Sequence, residues 1–93
     1  MANYEFPTDL IDAQQAFQAA DAKVAEIHAR MPRPTAIAAG EATISDELAQ
    51  AHEEARAERG RVLDVLYGHP WWLEIPREEH EAARTALRQA AAG

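Results

Sequence analysis

An all-α fold is predicted for this 93-residue chain: a long antiparallel helical hairpin followed by a shorter third helix. Three observations predict it. Small or apolar residues recur at alternating steps of three and four along two separate stretches, the spacing of one face of a helix. Capping residues, prolines and glycines fall at the ends of those stretches. No stretch carries the alternation of a half-buried strand.

The first helix is assigned to residues 9–31. Its row runs Leu10, Ala13, Phe17, Ala20, Val24, Ile27, Met31, a seven-residue repeat suited to helices packed at a shallow angle. Thr8 or Asp9 is placed to cap its start, Asp9 and Asp12 suit the positive end of the helix dipole, and Pro32 ends it. Residues 32–44 are read as a connector, stiffened by Pro32 and Pro34 and released at Gly40. The second helix is assigned to 45–67, capped by Ser45, with Asp46 and Glu47 in its first turn. Its row runs Ile44, Leu48, Ala51, Ala55, Glu58, Val62, Val65, so one position in an otherwise apolar row is a carboxylate. Gly68 suits a left-handed end and Pro70 prevents continuation. Residues 68–75 form a linker holding Trp71 and Trp72, and the third helix is assigned to 76–91, starting at Pro76.

One domain of this size buries only about 60–65% of the surface its unfolded chain exposes. A two-helix hairpin buries little, and the third helix covers part of it. The row Leu10, Phe17, Val24, Ile27, Leu48 and Val62 is therefore expected to serve assembly as well, with a second copy completing a four-helix-type bundle; a compact three-helix monomer is the alternative.

The net charge is −7, spread along the chain without an acidic tail. Such a surface repels nucleic acid and anionic membranes, so neither is expected as a direct partner. No apolar run approaches the length of a membrane span. The start, MANYEFPTDL, lacks the basic and apolar regions of a signal peptide, and the chain has no cysteine. A cytoplasmic location is expected. Twenty-two alanines and an eight-to-one preference for Arg over Lys suit a bacterial, GC-rich genome.

Little catalytic machinery is visible. The residues three before His28, His52, His69 and His80 are Ala25, Ala49, Leu66 and Arg77, so the Glu-x-x-His pattern of helical metal sites is missing. No metal site and no cofactor is predicted; a site assembled from different helices is the one arrangement left open. Ser45 is the only serine and its capping role accounts for it. The four glycines are isolated and form no phosphate loop. Glu58 is the one carboxylate with a reason to be considered catalytic, because a carboxylate in an apolar row would be desolvated and its protonated form favoured. The simpler reading is a polar layer paired with Lys23, Arg30 or Arg61, or a row that has drifted outward by Gly60. In length and helix order the chain is similar to the all-helical chorismate mutases, which form intertwined dimers. A dicarboxylate site of that kind needs several cations; the first helix supplies only Lys23 and Arg30, and no motif of that family is present.

Prolines at both ends of YGHPWWLEIP predict an extended segment, so that Trp71 and Trp72 point to opposite sides. One ring enters the core. The other, with Tyr67 and His69, makes an aromatic patch of the kind used as binding hot spots; the alternative is that both rings close one end of the bundle, where large side chains fill space. The resulting expectation is a small acidic interaction module, homodimeric, acting as adaptor or regulator of another protein. Two alternatives stand beside it: an acidic inhibitor, immunity-type protein or DNA mimic that covers a basic site, and a small helical enzyme or ligand carrier built around Glu58.

Overall fold

The computed structural model describes residues 4–92, which are helical throughout their regular structure, with no strand among them. α1 spans Thr8–Ala29, α2 Pro34–Ala38, α3 Asp46–Tyr67 and α4 His80–Ala92. Two 3-10 segments, Pro70–Glu74 and Arg77–Glu79, lie between α3 and α4. The predicted hairpin is α1 against α3, and the shorter helix is α4, which docks on α1.

The ends of α1 differ from expectation. Neither Thr8 nor Asp9 caps it; Pro7 occupies the cap position without a side-chain bond, and its carbonyl accepts from the N–H groups of Leu10 (3.0 Å) and Ile11 (3.2 Å). Pro7 fixes its own φ and needs no donor, so the chain enters the helix already turned. At the other end, Arg30 and Met31 close the last turn with tighter bonds to Ile27 and His28, both 3.0 Å. Pro32 excludes Met31 from the helix. The connector is not featureless. Pro34 starts α2, and Gly40 at φ +74° ends it. There Gly40 N–H donates to Ile37 O and Glu41 N–H to Ala36 O, the paired bonds of a Schellman turn, in which a left-handed glycine avoids the Cβ penalty.

Ser45 caps α3 as expected, its hydroxyl accepting from Leu48 N–H at 3.1 Å. Gly68 at the far end is not left-handed, with φ −81°. It is required for a different reason: a Cβ there would lie 2.6 Å from the backbone oxygen of Asp64, which already accepts from Gly68 N–H. Gly68→Ala is expected to destabilise the fold by about 1–3 kcal/mol, as overpacking against backbone does, measured by urea unfolding. A stability unchanged within error would mean that the last turn of α3 opens without cost.

The molecule is a rod, 53 × 24 × 21 Å, with a radius of gyration of 17.5 Å against about 12 Å for a compact domain of this length. Its core is in two parts. At the proximal end, Leu10, Ala13, Leu66, Trp71, Trp72, Ala83 and Leu87 form one buried cluster drawn from α1, α3, α4 and the Trp segment. Toward the distal end, where α2 lies, the hairpin is held by Val24, Ile27 and Ala55, with Leu48 and Ala51 packed beside them. Small residues let α1 and α3 approach closely there, but only two helices enclose that cluster.

The buried row of α3 departs from the predicted one halfway. Leu48, Ala51 and Ala55 face α1, but the next inward position is the half-buried Arg59, followed by Val62 and the fully buried Leu66. An extra step of four between Ala55 and Arg59 moves Glu58 and Val65 out of the interface; Val65 is 66% exposed.

Candidate functional site

The Trp segment does not have the predicted extended form. His69 acts as a cap: its Nδ1 accepts from Trp71 N–H at 3.0 Å, while its Nε2 faces the Asp9 carboxylate at 3.1 Å. Pro70 then starts a 3-10 turn. With three residues per turn, neighbouring side chains diverge by about 120° rather than 180°, so adjacent rings can enter one core. Both do. Trp71 and Trp72 are buried, edge to face with centroids 5.1 Å apart. Each indole N–H is satisfied: Trp71 Nε1 donates to Glu5 O at 3.1 Å and Trp72 Nε1 to Leu66 O at 2.9 Å. His80 Nε2 donates to Trp72 O at 3.0 Å. The expectation of an outward tryptophan is therefore corrected, and both rings close this end of the bundle; the large apolar side chain that faces out from the segment is Leu73, 89% exposed. Tyr67, 5.3 Å from the Trp72 ring, is partly exposed, and His69 is largely covered.

Two aromatic residues that sequence reading left unassigned complete this end. Phe6 and Tyr4 lie 5.1 and 6.1 Å from Trp71, and the Tyr4 hydroxyl donates to Glu79 Oε1 at 3.2 Å. Desolvation, then the hydrogen bond and negative charge of Glu79, raise the Tyr4 phenol above its ordinary value. Their signal was the apolar pair ahead of Pro7 in YEFP.

The assembly row is largely occupied within the chain. Leu10, Val24 and Ile27 are buried in the two clusters, and Phe17, Leu48 and Val62 are half-buried along the hairpin. What remains open is a flank of the hairpin. A groove of about 370 Å³ runs there between Lys23, Ile27 and Arg30 of α1 and Ala51, Glu54, Ala55, Glu58 and Arg61 of α3. Glu58 is thus not a desolvated core carboxylate. It is exposed and paired with Arg61 one turn on, while Arg30 pairs with Glu26 at 2.8 Å. Along α3, Glu54, Glu58, Arg61 and Val65 are spaced by four, three and four, which places them on one face.

The opposite flank carries a ladder across the helices. Asp21 of α1 meets Arg59 of α3 at 3.1 Å. Seven residues further along α1, and seven back along α3, the rings of His28 and His52 face each other with centroids 6.0 Å apart. Beyond them, at the distal tip, an apolar cavity of about 300 Å³ is bounded by His28, Met31, Pro32, Arg33, Pro34, Ile37 and Ile44.

No group of three or more His, Asp or Glu residues converges as a metal cage among the described residues. None of their helices is long and apolar enough to cross a membrane. A family model matches residues 9–90, which run from the first turn of α1 through the Trp segment to the last turn of α4. The chain belongs to the family DUF8825, a domain of unknown function. The DUF8825 match thus takes in the hairpin from the second residue of α1 together with nearly all of its docked helix, and leaves outside it the Tyr4–Thr8 approach, whose Tyr4 and Phe6 pack on Trp71, and the last two residues of α4. No curated protein and no solved structure matches the chain.

Proposed function

We propose that this DUF8825 protein is an interaction module that assembles as a homodimer and acts as an adaptor or regulator of another protein. The observation that carries the reading is the groove flank. Among the described residues the buried cluster of the distal half is drawn from α1 and α3 alone, and the groove beside it is floored by Ile27, Ala51 and Ala55. A second hairpin laid along this flank would complete the four-helix arrangement, the usual solution for helices with one face unpaired. The groove is rimmed by both signs of charge, Lys23, Arg30 and Arg61 with Glu54 and Glu58, so a symmetric copy can set cations against carboxylates. Val65 extends the same face toward the proximal end.

Sedimentation equilibrium tests this. The chain is expected to be dimeric at micromolar concentration, and Val65→Asp is expected to weaken the dimer on the order of tenfold, about 1.4 kcal/mol. A chain that stays monomeric at a concentration on the order of 100 µM overturns the dimer. The acidic-inhibitor alternative has less support: Glu53 and Glu58 each lie beside an arginine of their own helix, which divides the negative surface into ion pairs. A catalytic Glu58 has lost its premise, since the side chain is exposed and paired.

A further inference from the structure

We propose that His28 and His52 form a clip that binds one divalent late first-row transition ion, zinc or copper, across the α1–α3 hairpin. The two rings come from different helices at a point where the backbones are held by Val24, Ile27 and Ala55, residues within one turn of each histidine. Their centroids are 6.0 Å apart with planes inclined at 39°. An ion bonded to one nitrogen of each ring at about 2.0–2.1 Å leaves the centroids about 5–6 Å apart, and the observed separation lies at the upper end of that range. His28 is exposed and His52 half-buried, and among the described residues neither ring makes a hydrogen bond, unlike His69 and His80.

The register makes the pairing fixed rather than incidental. The Asp21–Arg59 ion pair lies seven residues from each histidine, on the same flank of both helices. Antiparallel packing that forms that rung brings His28 opposite His52. Neutral imidazole suits copper and zinc and disfavours magnesium and calcium, which prefer oxygen ligands. With two protein ligands, the remaining positions are filled by water or exchangeable solutes. The effect is to tie the distal half of the hairpin, where the core is thinnest. This inference is independent of the dimer: it concerns the other flank and a single chain.

The test is calorimetric titration of zinc chloride, and separately copper chloride, into the full chain carrying no histidine tag, with His28→Asn and His52→Asn alongside. One ion per chain is expected, bound more tightly for copper than for zinc. Each substitution alone is expected to weaken binding on the order of tenfold or more, because a single imidazole remains. Zinc at about ten times its dissociation constant is expected to raise Tm by about 6–11 °C in the unsubstituted chain and by far less in either variant. In the imidazole NMR spectrum, zinc should move the His28 and His52 signals together and leave those of His69 and His80 in place, a readout that needs no substitution. Binding unaffected by His52→Asn, one ion shared between two chains, or no saturable binding below millimolar metal would each overturn the clip.

Discussion

Replacing Trp72 with alanine is expected to cost about 3–5 kcal/mol, in the range for emptying an aromatic site in a core. That is a large part of the total stability of a small domain. The ring is 6% exposed and meets Trp71, Tyr67 and His80. Its N–H satisfies the carbonyl of Leu66, one of the last in α3 and without a helical partner there. Truncation therefore opens a cavity and leaves a buried acceptor unpaired. Denaturant unfolding followed by far-UV circular dichroism measures the loss. Leu73→Ala, next in sequence but 89% exposed, provides the contrast, and is expected to change stability by no more than about 0.5 kcal/mol. Equal effects at the two positions would show that the inward turn of the 3-10 segment is wrong.

The second large effect is expected at Leu87. It is fully buried and is the principal side chain by which α4 enters the proximal core, between Ala83 and Ala91. Leu87→Ala is expected to cost about 2–5 kcal/mol. The loss should be local first. α4 docks on α1, while the α1–α3 pairing is the more extensive one and includes the distal cluster. Amide exchange in residues 80–92 should therefore accelerate before that of α1 and α3. Uniform acceleration along the chain would mean that α4 and the hairpin unfold as one unit.

The hairpin was legible because the seven-residue row of α1 continues without interruption, and Ser45 and the prolines punctuate it. The error in α3 has a specific source. A strict repeat carried forward from Ala55 lands on Glu58, while burial follows Arg59, which an ion pair with Asp21 allows to sit near the interface. The charged position of the row is thus Arg59 and not Glu58, while the Arg61 partner of Glu58 and the outward drift of the row near Gly60 agree with the simpler of the two readings of that carboxylate. The Trp segment failed because the restriction on residues before proline was applied to its whole length, although Pro70 can equally begin a 3-10 turn once His69 supplies a cap. The groove and the histidine pair were beyond a sequence-only reading, since both depend on the register between two helices joined by residues 30–45.

The additional step of four in α3 also governs how any helix can lie along the rod. A seven-residue repeat winds helices into a left-handed supercoil, and an insertion of four locally unwinds it. α1 keeps the shorter repeat throughout, so the two helices of the hairpin drift differently past the Asp21–Arg59 level. A foreign helix with an unbroken heptad would fall out of phase with α3 at that level and could match only one half of the rod. A second copy related by a twofold axis through the same level carries an identical discontinuity there, and both halves of the pair stay in phase.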